Sequence, residues 1–175
     1  MTDQQTRILV FTGDGKGKTT AALGLALRAA GHGQAVRIIH FVKQDKSVGE
    51  LAGLKHLPGV TVEMYGCGFI PKPESRAFAR HVEAAQTGLA AARDAINAGP
   101  DILILDEICG AADKGLLTEG DVLDLLASAP GAMCIVLTGR GATPAIIDAA
   151  DTVTDMRCVK HAFDVGLDAQ KGVEC

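Results

Sequence analysis

The apolar tetrapeptide Ile8-Leu9-Val10-Phe11 runs straight into Thr12-Gly13-Asp14-Gly15-Lys16-Gly17-Lys18-Thr19-Thr20, and an Ala- and Leu-rich stretch follows. No other feature restricts the chain as much. Four consecutive apolar residues suit a strand buried on both faces. Clustered glycines suit a turn whose amides converge on one concavity. Lys18–Ala30, stopped at Gly31, reads as a helix, and its lack of a polar side predicts a central, buried one. Strand, turn and helix in that order make a phosphate site, because a helix N-terminus carries unpaired amides and partial positive charge. Lys18 would meet phosphate oxygens and the Thr19 hydroxyl a divalent cation, with Gly13, Asp14, Gly15, Lys16, Gly17 and Thr20 completing the cradle. The match to G-x-x-x-x-G-K-[ST] is irregular, since Thr12 holds the first glycine slot. A tight turn with an accidental Gly-Lys-Thr is the bland alternative, and the flanking strand and helix weigh against it.

Further apolar runs recur at Val36–Val42, Val60–Met64, Ile102–Leu105 and Met133–Leu137. They are continuous rather than alternating, as in parallel sheets covered on both faces. Helices are predicted over about Ser75–Ala98, ended by Gly99-Pro100, and near Thr118–Ala127 and Pro144–Ala149. Glu50–Gly59 and Gly66–Pro73, richer in Gly and Pro, read as loops near the sheet's edge. Strand and helix alternate without a linker or repeat. The expectation is one α/β domain over residues 1–175, a three-layer P-loop (RecA-like) fold with a mostly parallel central sheet.

Composition excludes several functions. The 175 residues are 47% hydrophobic and 22% charged, which suits a packed domain and not a disordered chain. A net charge of −4 and only 3% aromatic residues argue against a nucleic-acid partner. No apolar run is long enough to cross a bilayer, and polar Met1–Thr6 lacks the layout of a signal peptide, so a cytoplasmic enzyme is expected. The five cysteines are odd in number and lack a CxxC pair, and the five histidines lack HxxxH spacing. Neither a disulfide framework nor a His/Cys transition-metal site is expected. Cys134, in an apolar run, reads as a small core residue.

Two later motifs complement the glycine turn. Ile102–Leu105 ends in Asp106-Glu107, the Walker B form, which places carboxylates at a strand's C-terminal end to hold Mg²⁺ directly or through water. Thr138-Gly139-Arg140-Gly141 follows the next apolar run and should open on the same face of the sheet. Arg140 could there reach phosphate oxygens, or be an exposed turn residue. Arg28 is a weaker nucleotide-binding candidate, because a cation suits the last turn of a helix without any ligand.

The chain resembles the ATP:corrinoid adenosyltransferases of the bacterial cobalamin pathway. The resemblance rests on Thr12–Gly33 with its abbreviated GDGKGKTT loop, Phe41-Val42-Lys43, Gly68-Phe69, Leu105–Glu107, Thr138–Gly141 and VKHAFDVGLDAQKGVE (Val159–Glu174). It implies that Co(I) of a corrinoid attacks the ribose C5′ of ATP and that the triphosphate leaves whole. Such chemistry needs no protein nucleophile or general base, and the sequence has no convincing Ser/His/Asp or Cys/His constellation. Lys18, Thr19, Glu107 and Arg140 would then be the catalytic groups, with Mg²⁺ (or Mn²⁺) on Thr19, Glu107 and Asp106. The resemblance also implies that the loop holds its phosphates in the reverse sense, that the chain is a homodimer, and that a flavoprotein supplies the electron. Phe69 matches an aromatic set against the corrin, alternatively a loop hydrophobe tucked onto the core; a second aromatic expected two residues later is Pro71 here. Lys160, His161 and Asp164 match without an assignable role. A P-loop kinase would need GKT and carboxylates too, but also an arginine-bearing lid and a base, neither of which is evident. A nucleotide-dependent regulatory ATPase stays open as well.

Overall fold

The structure is a computed structural model, and it describes residues 5–45 and 48–173. Met1–Gln4 of the polar N-terminus, Lys46, Ser47, and Glu174 and Cys175 at the other end lie outside them. Six strands form one parallel sheet in the order β3-β2-β4-β5-β1-β6: β1 Arg7–Thr12, β2 Val36–His40, β3 Val60–Met64, β4 Ile102–Asp106, β5 Cys134–Thr138 and β6 Thr152–Asp155. Helices cover both faces, so the expected three-layer α/β domain is what forms.

The continuous apolar runs follow from that layering. Within β2, β4 and β5, Ile38, Ile104 and Val136 point to one helix layer, whereas Ile39, Leu103, Leu105, Ile135 and Leu137 point to the other. Each such burial contributes about 1.5–3 kcal/mol. Helix α1 (Lys18–Gly31) docks through Ala22, Ala26 and Ala29, small residues that let its axis lie close to the sheet. It is not buried all round: Leu27 is 58% exposed, and Thr20, Gly24 and Arg28 share that open side. With none of the described residues covering that side of α1, its Leu27 remains largely in water.

The opposite layer holds α3 (Phe78–Ala98), α4 (Ile108–Asp113), α5 (Glu119–Ala127) and α6 (Pro144–Asp148). α3 starts three residues later than its periodicity predicts, because Ser75 and the two residues after it form a turn, in which Phe78 N–H donates to Ser75 O. It ends on Gly99 at φ 70°, as expected. Thr118 caps α5 in a reciprocal box with Asp121. The first part of Glu50–Gly59, expected to be loop, belongs to helix α2 (Gly49–Leu54), which buries Leu51 and Leu54 over edge strand β3. Two buried leucines among glycines are too few to display a helical period. β6 escaped prediction because Thr152-Val153-Thr154-Asp155 is exposed throughout and has no apolar run. Cys134 is only half-buried at the start of β5, while Cys109 is the fully buried cysteine.

Candidate active site

The strand order sets the site. Between β1, which feeds the glycine turn, and β4, which ends in Asp106, lies β5, whose last residue is Thr138. Thr138 therefore ties the two motifs together. Its Oγ1 donates to Asp106 Oδ1 (2.8 Å) and accepts from the Glu107 amide (2.9 Å). Thr19, in the first turn of α1, donates to the same Asp106 oxygen (2.8 Å). On the other side His40 is in register with Asp106 across the β2–β4 pair, and its Nδ1 donates to Oδ2 (2.8 Å). Lys43 Nζ stands 3.3 Å from that oxygen. Asp106, 1% exposed, thus has both oxygens engaged by four protein donors. Burial alone would raise its pKa, but the His40 hydrogen bond and the Lys43 charge overcome this and hold the carboxyl below the usual range.

Glu107 faces the other way. It adopts φ 64°, left-handed backbone uncommon for a non-glycine residue, and lines the cleft that Asp106 does not reach. Burial and the neighbouring Asp106 charge raise its pKa, whereas Lys18 opposes the rise. Of the two carboxylates the Walker pattern offers, Glu107 faces the cleft and Asp106 holds Thr19 in place.

The cleft has a volume of about 550 Å³ and is lined by Asp14–Thr20, Lys43, Glu107, Asp113, Lys114, Arg140 and His161, among others. Gly17 caps α1 without a side-chain bond, so the amides of the first helical turn remain for an anion. Lys18 Nζ donates to the carbonyls of Gly13 (2.6 Å) and Gly15 (2.7 Å), and burial lowers its pKa. Arg140 reaches Asp14 O (3.3 Å) as the expected neighbour of the turn. Gly13 and Gly15 have a role the phosphate argument did not foresee. A Cβ on Gly13 would sit 2.1 Å from an Asp155 oxygen, and one on Gly15 would sit 2.6 Å from Met156 O. The chain leaving β6 packs against the turn there, and Gly15 N–H donates to Met156 O (2.6 Å). Further along, Lys16 Nζ donates to Val173 O (2.7 Å), tying the C-terminal segment to the same turn.

Two expected site residues lie elsewhere. Arg28 is ten residues beyond Lys18, roughly 15 Å along α1, and does not line the cleft. Phe69 is 94% exposed and not tucked onto the core; its neighbours Gly68 and Ile70 border an adjoining cavity and the cleft. Sequence reasoning gave no role to His40, Lys43, Asp113 or Lys114. For His40 the available signal was a histidine set within the apolar run Val36–Val42. Cys109, packed beside the Glu107 turn, has its thiol pushed up to about 12, chiefly by burial, and is no nucleophile.

Thr19 Oγ1 and the Glu107 carboxylate are hard oxygen donors beside the phosphate turn, a donor set that fits Mg²⁺ or Mn²⁺. Among the described residues no group of three or more His, Cys, Asp or Glu is placed to hold a metal ion. No helix of the described residues is long and apolar enough to cross a membrane.

The family model for ATP:corrinoid adenosyltransferase BtuR/CobO/CobP matches residues 4–175. The corrinoid adenosyltransferase of Pseudomonas aeruginosa is 40% identical over 175 residues, covering 98% of this chain and 85% of that one. Its counterpart in Salmonella typhimurium is 38% identical over 95% of this chain and 84% of its own length. Among solved structures, a KaiC-like protein of Pyrococcus horikoshii superposes with TM-score 0.58 at 16% identity, covering 87% of this chain and 72% of that one. The flagellar accessory protein FlaH of Methanocaldococcus jannaschii gives 0.53 at 11%, covering 87% and 71%. Those two likenesses concern the fold alone.

Proposed function

The chain belongs to the ATP:corrinoid adenosyltransferase family, and from that premise we propose that it transfers the 5′-deoxyadenosyl group of ATP to the Co(I) centre of a corrinoid. The cobalt electron pair forms the Co–C5′ bond, the C5′–O bond breaks, and the triphosphate leaves with that bonding pair. The carrying observation is the family match over residues 4–175 on a chain whose cleft gathers Lys18, Thr19, Glu107 and Arg140 at the strand ends.

The protein's part is then positioning and charge. The α1 amides and Lys18, released from the Gly13 and Gly15 carbonyls, receive the triphosphate, and Arg140 leaves Asp14 to meet the same anion. Thr19 and Glu107 would hold Mg²⁺ or Mn²⁺, which when bound neutralises charge on the departing triphosphate. Asp106 keeps the Thr19 hydroxyl oriented. Phe69, exposed beside the cleft, would lie against the corrin. On the resemblance alone we extend the proposal to a reversed ATP orientation, a homodimer, a flavoprotein reductant and a cytoplasmic location.

The test is incubation with ATP, Mg²⁺ and a chemically reduced corrinoid. A light-sensitive adenosylated product together with intact triphosphate is expected, and EDTA should abolish both. ADP formed without adenosylation would sink the reading and favour a kinase or regulatory ATPase.

A further inference from the structure

Lys43 follows β2 by three residues and brings its ammonium to a crowded place. Nζ lies 3.3 Å from Asp106 Oδ2 and 3.4 Å from Thr19 Oγ1, and its charge acts on Glu107 as well. One cation therefore stands beside both side chains assigned above to the metal and beside the carboxylate that orients Thr19. The other donors to Asp106 are held by their elements: Thr138 and His40 are buried at strand ends, and Thr19 is in the first turn of α1. Lys43 differs from them. Its side chain is 31% exposed, it makes the longest contact of the four, and a flexible four-carbon stem carries its charge. It also lines both the nucleotide cleft and the adjoining cavity.

A divalent ion approaching Thr19 and Glu107 alone would meet this like charge at close range. An ion arriving with a triphosphate brings anionic oxygens to which the displaced ammonium can turn. We propose that Lys43 is a resident counter-cation that keeps free metal out of the site and, when a metal–nucleotide complex enters, swings onto the triphosphate. The residue would thus make metal entry conditional on nucleotide. This inference rests on the metal assignment of Thr19 and Glu107 proposed above.

Binding of Mn²⁺, followed by electron paramagnetic resonance with and without ATP and in the absence of corrinoid, separates the two. In Lys43→Met, nucleotide-free Mn²⁺ affinity should rise about tenfold because a like charge has gone. Mn²⁺–ATP affinity should fall about tenfold because a charge-assisted phosphate contact is lost. Lys43→Arg should restore the wild-type pattern in both, and thermal melts of both variants control for folding. Any result for Lys43→Met other than opposite shifts overturns the counter-cation. Glu107→Gln tests the underlying assignment independently, since it should weaken Mn²⁺–ATP binding; wild-type affinity in that variant would remove the metal site itself.

Discussion

Beneath the floor of the cleft, Asp106, Thr138 and His40 are buried, and among the described residues no buried side-chain nitrogen or oxygen lacks a partner. On the loops that carry Ile70 and His161 to the same cleft, Phe69, Val159 and Phe163 stand 79% to 94% exposed. The floor is made of strand ends locked by parallel register, so its polar groups hold fixed positions. The rim is made of loops and one short 3-10 turn, and their apolar side chains stand largely uncovered by the described residues. The first arrangement suits a small, highly charged ligand, which is recognised by placed donors. The second suits a large apolar ligand, which is recognised by the area it covers. In the proposed reaction these are the triphosphate and the corrin.

That division can be broken at either end. The largest effect should come from Lys18→Ala, which removes a cation from the departing triphosphate and should lower kcat/KM by a factor of about 10²–10³. Its circular dichroism spectrum should match the wild type; a collapsed spectrum would make Lys18 part of the scaffold instead. Asp106→Asn should act on the scaffold itself, lowering the unfolding free energy at pH 7 by about 3 kcal/mol in denaturant titrations. The sign of its pH dependence is set by the depressed folded-state pKa. The ionised carboxyl stabilises the fold above the unfolded value of 3.8, and that contribution disappears as pH falls through the lower folded-state pKa. The gap between variant and wild type should therefore narrow in acid, and a gap that widens would contradict the buried ionised hub.

Phe69→Ala probes the rim. Loss of one apolar cover of about 1.5 kcal/mol should raise the KM for corrinoid roughly tenfold, with the KM for ATP and the melting temperature unchanged. A raised KM for ATP would merge rim and floor into one site. Smallest of all should be Arg28→Ala, under about 0.5 kcal/mol in stability and without effect on the KM for ATP. A clear rise in that KM would restore Arg28 to a site from which its place on α1 removes it.

Legibility followed the same divide. Lys18, Thr19, Asp106, Glu107 and Arg140 were readable because each follows an apolar run or a glycine cluster whose chemistry is local. Helix α2 and strand β6 were not readable, because a six-residue helix with two buried leucines and a four-residue polar edge strand carry no periodic signal. The expected burial of α1 failed for a related reason: an Ala-rich face looks the same whether a neighbour covers it or water does.

The sequence by itself determined the strand–turn–helix, the carboxylate pair at a strand end and, through family likeness, the reaction class. Hydrophobic runs and glycine spacing are local properties and need no partner to be read. Tertiary structure alone decided that β5 lies between the two motif strands and that Thr138 and His40 converge on Asp106. It also decided that Asp106 and Glu107 part company, one into the sheet and the other into the cleft. The glycine turn gained a second meaning in the same way, since Asp155, Met156 and Arg157, some 140 residues downstream, occupy the space that side chains at Gly13 and Gly15 would need. Parallel register and chain crossing bring residues together across a hundred positions, and no short-range pattern encodes that.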